Sequence, residues 1–400
     1  MNGTKVLVSG ASIAGPTLAY WLARRGADVT VVEQAPRLRG GGHGVDFRGA
    51  QMELLDRMGI TDDVRAHQTA MGTQTIIDAT GRPIVELPAL FFSGEVEITR
   101  GNLARILYER TRDHVEYVFD DSVTALTDTG SGVDVEFRRS SGRTFDLVIG
   151  ADGMHSKVRA LAFGPESRFA VFRGYYMAGF DTPNFLDLDH VGLVYNEPGR
   201  AVMVSSDRDP AVLGVGLLFE SERLHYDRHD TAALRRIVAE RFAGVGWETP
   251  RLLEHLREAP DPYFEPLEQI ELDRWSTGRI ALLGDAAWCA GPGGSGTGLA
   301  MMGAYVLAAE LAAASDDHTA AFARYQQVLA KAAAKGRWQA KGAGAFLAPP
   351  TPARIRRRNR TYRLLSSRIM SRPFARILGG AANAVTLDAY PRTAEPSPAR

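Results

Sequence analysis

The stretch "GDAAWCAGPGGSGTGLA", residues 284–300, constrains the fold of this chain more than any other. An apolar run, "RIALLGD", ends there in an acid, Asp285, and the whole stretch contains six glycines and one proline. Glycine loses more conformational freedom on folding than any other residue, so this backbone is costly to order. The cost is understandable if another molecule lies so close to the backbone that side chains are excluded.

The N-terminus predicts a strand, a turn, a helix and a second strand, which together form a βαβ unit. "KVLVSG" is a short apolar run, "PTLAYWLARRG" has helical spacing, and "DVTVVE" is rich in β-branched residues. The turn "GASIAG" matches the glycine-rich fingerprint of dinucleotide-binding proteins, with a serine at the middle glycine. Five residues of this turn are therefore candidates for binding a cofactor: Gly10, Ser12, Ile13, Ala14 and Gly15.

Glu33 ends the second strand, at the spacing of about 20 residues that is expected of a carboxylate binding ribose hydroxyls. The start of the first helix would also direct free backbone N–H groups at the phosphates. Together these features predict an adenine dinucleotide, although NAD enzymes and FAD enzymes share this part of the sequence. The alternative is a plain strand-to-helix turn without a nucleotide.

The charge balance argues against nucleic acid as a partner. Lys and Arg total 47, and Asp and Glu also total 47, so the chain has no general electrostatic attraction to nucleic acid. The basic run Arg354–Arg363 predicts a solvated helix face, or alternatively a surface that grips an anionic partner subunit.

Cysteine content and hydropathy point to a cytoplasmic protein. The single cysteine, Cys289, rules out an intrachain disulfide and a cysteine-based metal cluster, and it suits a reducing compartment. No signal peptide is recognisable. The longest apolar run, "GTGLAMMGAYVLAA", is rich in glycine and predicts a buried helix rather than a membrane span. We expect no membrane association and no bound metal.

At 400 residues the chain is long enough for more than one domain. From about residue 169 the pattern changes to sheet strands and one amphipathic helix, "DTAALRRIVAERFAG", before buried-strand sequence returns in "RIALLGD". We therefore predict a first domain of residues 1–168 and 275–345, interrupted by a second domain of residues 169–274. Residues 346–400 are predicted to form a C-terminal helical segment with a disordered tail.

A further stretch, "DLVIGADGMHSKVR", places Asp152 and Gly153 in a turn after another buried strand. Taken alone, Asp152 fits a simple helix cap. Combined with "GASIAG" and "GDAA", the stretch resembles the three-part signature of the class A flavoprotein monooxygenases, the FAD-dependent aromatic hydroxylases of the para-hydroxybenzoate hydroxylase fold. The resemblance covers roughly residues 4–345, and it adds Asp152 to the cofactor-binding candidates.

The fold that this resemblance implies is of the α/β class. A Rossmann-like FAD-binding domain would carry an inserted mixed α+β substrate domain, followed by the C-terminal helical segment. In the family, the acid of the "GD" motif binds the ribityl chain of FAD. The corresponding residue here is Asp285, so the resemblance implies this role for Asp285. Backbone N–H groups around Gly296, Thr297 and Gly298 would then stabilise negative charge on the reduced flavin. The chain departs from the family at Trp288 and in a proline-to-glycine segment that is one residue short.

Two other stretches match the family. "RLRGGGHGVDFRG" resembles the segment beside the flavin in the tetracycline-degrading and aromatic-polyketide branches, which implies cofactor contacts for Arg39 and Asp46. "ITRGNLARIL" places Arg100 at the start of a helix, where the family has an arginine that touches the cofactor. Val123 stands where a backbone group meets adenine in this fold. The alternative for Arg39 is a solvated loop charge.

The resemblance also implies the activity. Non-covalent FAD would be reduced by NADH or NADPH, acting as a transient reductant, and would then form a C4a-hydroperoxide with O2 that hydroxylates a ring. The apolar and aromatic sequences "FRGYYMAGF" and "DPYFEPL" imply a bulky aromatic or polycyclic substrate. The cofactor carries this chemistry, and we identify no catalytic residue. A Baeyer–Villiger or other oxidative tailoring enzyme for a polyketide-like substrate, and a flavin-binding redox protein that does not oxygenate, stay open as alternatives.

Overall fold

The computed structural model describes residues 1–38, 40, 42, 44–89, 94–207, 209–228, 230–260, 262–293, 296–314, 316–366, 387 and 390. The strands are β1 Lys5–Ser9, β2 Asp28–Glu33, β3 Gly44–Phe47, β4 Gln74–Ile77, β5 Pro83–Leu87, β6 Val96–Thr99, β7 Glu116–Phe119, β8 Val123–Asp128, β9 Val133–Phe137, β10 Arg143–Phe145, β11 Leu147–Gly150, β12 Ala170–Pro183, β13 Val191–Glu197, β14 Arg200–Ser206, β15 Val212–Glu220, β16 Tyr263–Ile270, β17 Ser276–Thr277 and β18 Ile280–Leu282. The helices are α1 Ala14–Ala23, α2 Ala50–Met58, α3 Thr61–Ala66, α4 Arg100–Thr111, α5 Lys157–Ala162, α6 Thr231–Phe242, α7 Thr249–Glu258, α8 Asp285–Trp288, α9 Gly296–Ala313, α10 His318–Ala340, α11 Ala343–Leu347 and α12 Pro352–Leu365.

The central sheet has six strands in the order β17–β18–β11–β1–β2–β7. Its pairs are parallel from β18 to β7, and β17 runs antiparallel to β18. Strands of a parallel sheet are apolar throughout because helices cover both faces, and Val6, Leu7 and Val8 of β1 are fully buried. The βαβ unit predicted from the N-terminal sequence is confirmed, and so is the α/β class.

Helix α9 follows the glycine-rich stretch and packs beside α1 in the core. The rings of Trp21 and Tyr305 meet edge to face between these helices, with centroids 4.7 Å apart. Within the described part of the chain, α9 is the one helix long and apolar enough to cross a membrane, and 67% of it is buried inside the protein. Its apolar composition is therefore that of a core helix.

A second sheet has seven strands in the order β16–β12–β15–β14–β13–β4–β5. Helices α6 and α7 cover one face of it, where Leu234, Val238 and Leu252 pack on the strands. Strands β4 and β5 correct the predicted domain boundaries. β4 pairs with β13, with Gln74 opposite Gly192. Residues 74–87 are therefore part of the second sheet, although the sequence prediction assigned them to the first domain. In other respects the domain division stays a prediction.

The C-terminal helices include one exception to the predicted solvated basic face. Arg358 of α12 is buried, and its Nη1 donates to the carbonyl oxygens of Phe346 and Leu347 at 3.0 and 2.9 Å. Its Nη2 donates to Asn196 Oδ1 at 2.7 Å. Arg358 therefore ties α12 to α11 and to β13, because a buried guanidinium needs acceptors. The predicted disordered tail lies outside the described residues.

Candidate functional site

The glycines of the N-terminal turn are required by close packing at the carboxyl end of β1. Gly10 has a φ of 109°, and a Cβ on it would lie 2.5 Å from the carbonyl oxygen of Ala151. A Cβ on Gly15 would overlap the carbonyl oxygen of Gly10. The turn therefore passes directly over the neighbouring strand end, and α1 starts immediately behind it. The first N–H groups of α1 lack partners within the helix, and they lie at the edge where open α/β sheets bind ligands.

Arg100 and Ser12 are brought together across this edge. Arg100 is the first residue of α4, whose preceding residue, Thr99, accepts a hydrogen bond from the N–H of Asn102 at 3.4 Å. Arg100 Nε donates to Ser12 Oγ at 3.1 Å. A Cβ on Gly42 would lie 3.4 Å from Arg100 Cβ, so the loop before β3 reaches the same place. Three segments that sequence analysis linked to the cofactor thus meet at one point.

Glu33 lies at the end of β2, beside the glycine-rich turn. Its Oε2 accepts from the N–H of Ala11, and its Oε1 accepts from the N–H of Ala35, both at 2.9 Å. The backbone oxygen of Glu33 accepts from the N–H of Asp121 at 3.1 Å, which brings the start of β8, with the buried Val123, to the same end of the site. This end collects the residues predicted to bind the adenosine half. Their roles in binding stay predictions.

Asp152 is occupied by hydrogen bonds within the protein. Its Oδ2 accepts from the N–H groups of Lys157 and Val158 at 2.8 and 3.1 Å, and from Ser9 Oγ at 3.4 Å. The second carboxylate oxygen accepts from Ser156 Oγ, and burial raises the pKa of Asp152. The geometry is that of an acid capping the start of α5. It favours the helix-cap alternative, and a cofactor role for Asp152 stays a prediction.

Asp285 is the first residue of α8 and faces the start of α9. It follows Gly284, whose φ of 65° and ψ of −139° favour glycine. A Cβ on Gly284 would lie 3.2 and 3.4 Å from the Cβ atoms of Ala300 and Ala14, so the "GD" turn packs against both helices. A Cβ on Gly296 would lie 3.7 Å from Asp285 Oδ1. Two predicted flavin contacts therefore lie next to each other, at the opposite end of the site from Glu33.

Gln51 of α2 is a neighbour of the glycine-rich stretch that sequence analysis did not identify. It is 3% exposed, and its Oε1 accepts from the N–H of Arg48 at 3.3 Å. A Cβ on Gly298 would overlap its amide group. The absence of a side chain at Gly298 is thus explained by Gln51, and the N–H groups near Gly298 stay predicted flavin contacts. Thr297 lies between these glycines in the first turn of α9.

Asp46 forms an ion pair with Arg48, two residues further along the chain, and Arg48 Nε lies 2.6 Å from Asp46 Oδ2. Burial raises the pKa of the neighbouring Glu97, as do the charges of Asp46 and Asp207. Glu97 Oε2 accepts from Thr69 Oγ1 at 2.6 Å. The contact of Asp46 with FAD stays a prediction, and Arg39 lies outside the described residues.

Tyr263, at the start of β16, faces the candidate site from the second sheet. Its side chain is 45% exposed, yet burial raises the pKa of its hydroxyl, and Arg100, Cys289 and Asp285 lie close enough to act on it electrostatically. The exposed ring of Tyr263 therefore lies on the side of the second sheet that faces Arg100 and Asp285. Burial and the charge of Asp285 also raise the pKa of the Cys289 thiol, so Cys289 packs as a neutral side chain.

His155 joins the second sheet to the central one at this place. Its Nδ1 lies 2.9 Å from Glu166 Oε1, and its Nε2 lies 2.9 Å from Glu265 Oε2 on β16. Arg159, fully buried, binds Glu166 Oε2 at 2.8 Å and the carbonyl oxygen of Ala286 at 3.0 Å. The cluster was not predicted from the sequence, because its contacts to Glu265 and Ala286 join residues that are 110 and 127 positions apart in the chain.

The arrangement fits a dinucleotide laid along the carboxyl edge of the central sheet. Glu33 stands at one end, the turn with Ser12 and Arg100 in the middle, and Asp285 with Gly296 at the other end. The middle offers N–H groups and a guanidinium to an anion, and the two ends offer carboxylates to hydroxyl groups. Fold and site thus fit a dinucleotide-binding protein of the α/β class. The family described as "FAD binding domain" matches residues 3–334, and the chain belongs to this family.

Similar proteins agree with that assignment. A "Flavin-dependent monooxygenase" from an unknown prokaryotic organism is 38% identical over 330 residues, which is 81% of this chain and 85% of that protein. An uncharacterized protein of Mycobacterium tuberculosis is 42% identical over 327 residues, which is 80% of this chain and 88% of its own. The crystal structure of the tetracycline destructase Tet(55) superposes with a TM-score of 0.84 at 34% identity and covers 98% of this chain and 100% of its own. The protein is an FAD-dependent oxidoreductase.

Proposed function

We propose that the protein is a monooxygenase that uses NADH or NADPH and O2 to hydroxylate a bulky aromatic or polycyclic substrate. The observation that supports this proposal is the position of Tyr263, which belongs to the second sheet, pairs with Gly179 and lies near Arg100 and Asp285 of the FAD-binding part. Oxygen transfer from a flavin needs an enclosed site beside the ring where the substrate is held and water is excluded. The name of Tet(55) gives tetracycline, a polycyclic compound, as what that enzyme acts on, which favours a polycyclic substrate here.

In this proposal, non-covalent FAD lies along the edge of the central sheet. Glu33 binds the ribose of its adenosine half, the N–H groups of the Gly10–Gly15 turn bind the pyrophosphate, and Asp285 binds the ribityl chain. Backbone N–H groups of Gly296–Gly298 lie near the ring. When bound, FAD supplies the acceptor for reducing equivalents from NAD(P)H and the reactivity towards O2.

The protein would orient the reactants, and two side chains near the proposed site are uncharged, which suits a site from which water is excluded. Tyr263 and Cys289 both stay neutral at physiological pH, because burial raises the pKa of each. Neither residue is poised as a nucleophile, which agrees with chemistry carried by the cofactor. The single cysteine needs no oxidising compartment, so we place the enzyme in the cytoplasm.

The test measures NADH and NADPH oxidation by FAD-loaded protein with a panel of polycyclic phenols, under isotope-labelled O2. Substrate-stimulated oxidation with one labelled oxygen atom in a ring hydroxyl supports the proposal. Label in a ring-expanded lactone would instead identify a Baeyer–Villiger oxygenase. Oxidation of NAD(P)H that yields only hydrogen peroxide with every compound, or no stimulation at all, would contradict oxygenation and favour a redox protein.

A further inference from the structure

One face of the seven-stranded sheet carries glycines where strands normally present side chains. The residues that pack against α6 and α7 alternate along β12 and β15: Ala178, Phe180, Val215 and Leu217. The intervening residues point to the opposite face, and they include Gly179 on β12 and Gly214 and Gly216 on β15. Gly179 lies directly opposite Gly216, and the next position on that face pairs Gly214 with Asp181. We name Gly179, Gly214 and Gly216 the glycine floor.

Folding does not account for Gly214, and at Gly216 a side chain would require only a small shift of Met203. Glycine weakens the interior of a strand, because it brings no side chain to pack and loses more conformational entropy. Neither residue has a positive φ. A Cβ on Gly214 would come no closer than 3.6 Å to any atom outside its chain neighbours. A Cβ on Gly216 would lie 3.1 Å from Met203 Cε, the mobile end of a flexible side chain. Glycine inside a strand typically marks a bulge, a tight bend, or a place where a ligand or another backbone approaches closely. The strand pairing is regular at Gly214 and Gly216, which leaves close approach as the explanation.

The glycine floor faces the candidate FAD site. At one side, Tyr263 pairs with Gly179 across β16 and β12, and Tyr263 lies near Arg100 and Asp285. Beyond the floor, the loop between β14 and β15 shares a cavity of about 310 Å³ with the start of α4, lined by Asp207, Asp209, Thr99 and Asn102. The floor is therefore held between two contacts with the FAD-binding part of the protein.

Two methionines flank the floor. Met177 and Met203 are half-buried on the same face, and the sulfur of Met177 and the Cε of Met203 lie 3.8 and 3.1 Å from the position of a Cβ on Gly216. Methionine adapts its shape to a ligand and makes favourable contacts with aromatic rings. A flat backbone surface beside two such side chains suits the face of a planar, apolar molecule.

We propose that the glycine floor sets the size and shape of the substrate: it admits a planar molecule of several fused rings, which lies over Gly214 and Gly216 against Met177 and Met203. Two strand spacings across β12, β15 and β14 give the floor a width of about 10 Å. This inference rests on the proposed function and names its substrate class. Side chains at the floor would raise its surface and exclude fused-ring substrates while leaving room for a single ring.

The test uses binding rather than turnover, so that it stays informative even if no oxygenation is found. FAD-loaded wild-type protein, Gly214→Leu, Gly216→Ala and Gly342→Leu are titrated with hydroxypyrene, a fluorescent planar phenol of fused rings, and with phenol. Gly342 is the matched control, because it is exposed and a Cβ there would meet no atom within 4 Å. The FAD dissociation constant and the circular dichroism spectrum are measured on each variant.

Wild-type protein and Gly342→Leu should bind hydroxypyrene alike, and Gly214→Leu should bind it at least about tenfold more weakly. Gly216→Ala should show a smaller loss in the same direction, which keeps the test decisive if the leucine variant is misfolded. Binding of phenol and of FAD should be unchanged in all variants. The inference is overturned if wild-type protein does not bind hydroxypyrene, or if the floor variants bind it as tightly as wild type.

Discussion

Replacing His155 by glutamine should destabilise the protein in a manner that depends on pH. Each ring nitrogen of His155 lies 2.9 Å from a carboxylate oxygen, of Glu166 on one side and of Glu265 on the other. The hydrogen bonds with Glu166 and Glu265 raise the pKa of His155 from 6.5 to about 9, against the opposing effect of burial. A raised folded-state pKa contributes stability below the unfolded-state value, and that contribution disappears as pH rises through the folded-state value.

The magnitude follows from these two pKa values. A difference of roughly 2.5 between folded and unfolded states corresponds to about 3 kcal/mol. The His155 side chain is 26% exposed, and solvent screening lowers the expected contribution to about 2 kcal/mol. Below about pH 6.5, His155→Gln should therefore have a free energy of unfolding about 2 kcal/mol below wild type. The difference should shrink as the pH rises from about 6.5 to about 9 and approach zero above that value.

Urea unfolding of the FAD-loaded proteins, followed by circular dichroism across this pH range, measures the difference. His114→Gln is the control, because His114 is an exposed histidine outside the cluster. A loss in His155→Gln that is the same at every pH would refute the electrostatic reasoning, and so would no loss below about pH 6.5.

Three other predictions concern the cofactor and the C-terminal segment. Glu33→Gln should weaken FAD binding by about ten- to a hundredfold, because a charged hydrogen bond is lost; a fluorescence titration showing unchanged affinity would remove Glu33 from the site. Acid precipitation should release FAD into the supernatant, since we expect no covalent attachment, and flavin that stays with the pellet would contradict this. Arg358→Met should lower the free energy of unfolding by about 3 kcal/mol, because buried acceptors are left unpaired. Arg357→Met, on the exposed side of α12, should change it by less than about 0.5 kcal/mol. Equal effects of the two substitutions in thermal unfolding would show that the hydrogen bonds of Arg358 do not stabilise the protein.

The central βαβ unit could be predicted because its signals are local. Apolar runs, a glycine-rich turn and the spacing to Glu33 lie within a single stretch of the chain, and the structure brings Glu33 to that turn through the N–H of Ala11. Ser12 and Arg100 are not local to each other, since they are 88 residues apart; the family resemblance placed both at one cofactor, and the structure joins them by a hydrogen bond.

The remainder depends on contacts between distant residues. β4 joins the second sheet by pairing with β13, more than a hundred residues further along the chain, and no local pattern specifies that partner. Gln51 and Tyr263 reach the site only through packing of α2 on α9 and of β16 beside α8. Arg358 looked like a solvated charge because its acceptors, among them Asn196, lie in another element.

The position of the flavin is tested most directly by Asp285→Ala. Asp285 faces Gly296 at the end of the site where the ribityl chain is proposed to bind, and its removal should weaken FAD binding strongly and abolish substrate-stimulated NAD(P)H oxidation. Asp28→Ala makes the same change in an exposed residue at the opposite, amino end of the central sheet and should leave FAD affinity unchanged. The measurement is a flavin-fluorescence titration of both apoproteins, with circular dichroism of the same samples. A folded Asp285→Ala protein with wild-type FAD affinity would contradict the account, since the glycine-rich stretch would then have lost its link to the flavin.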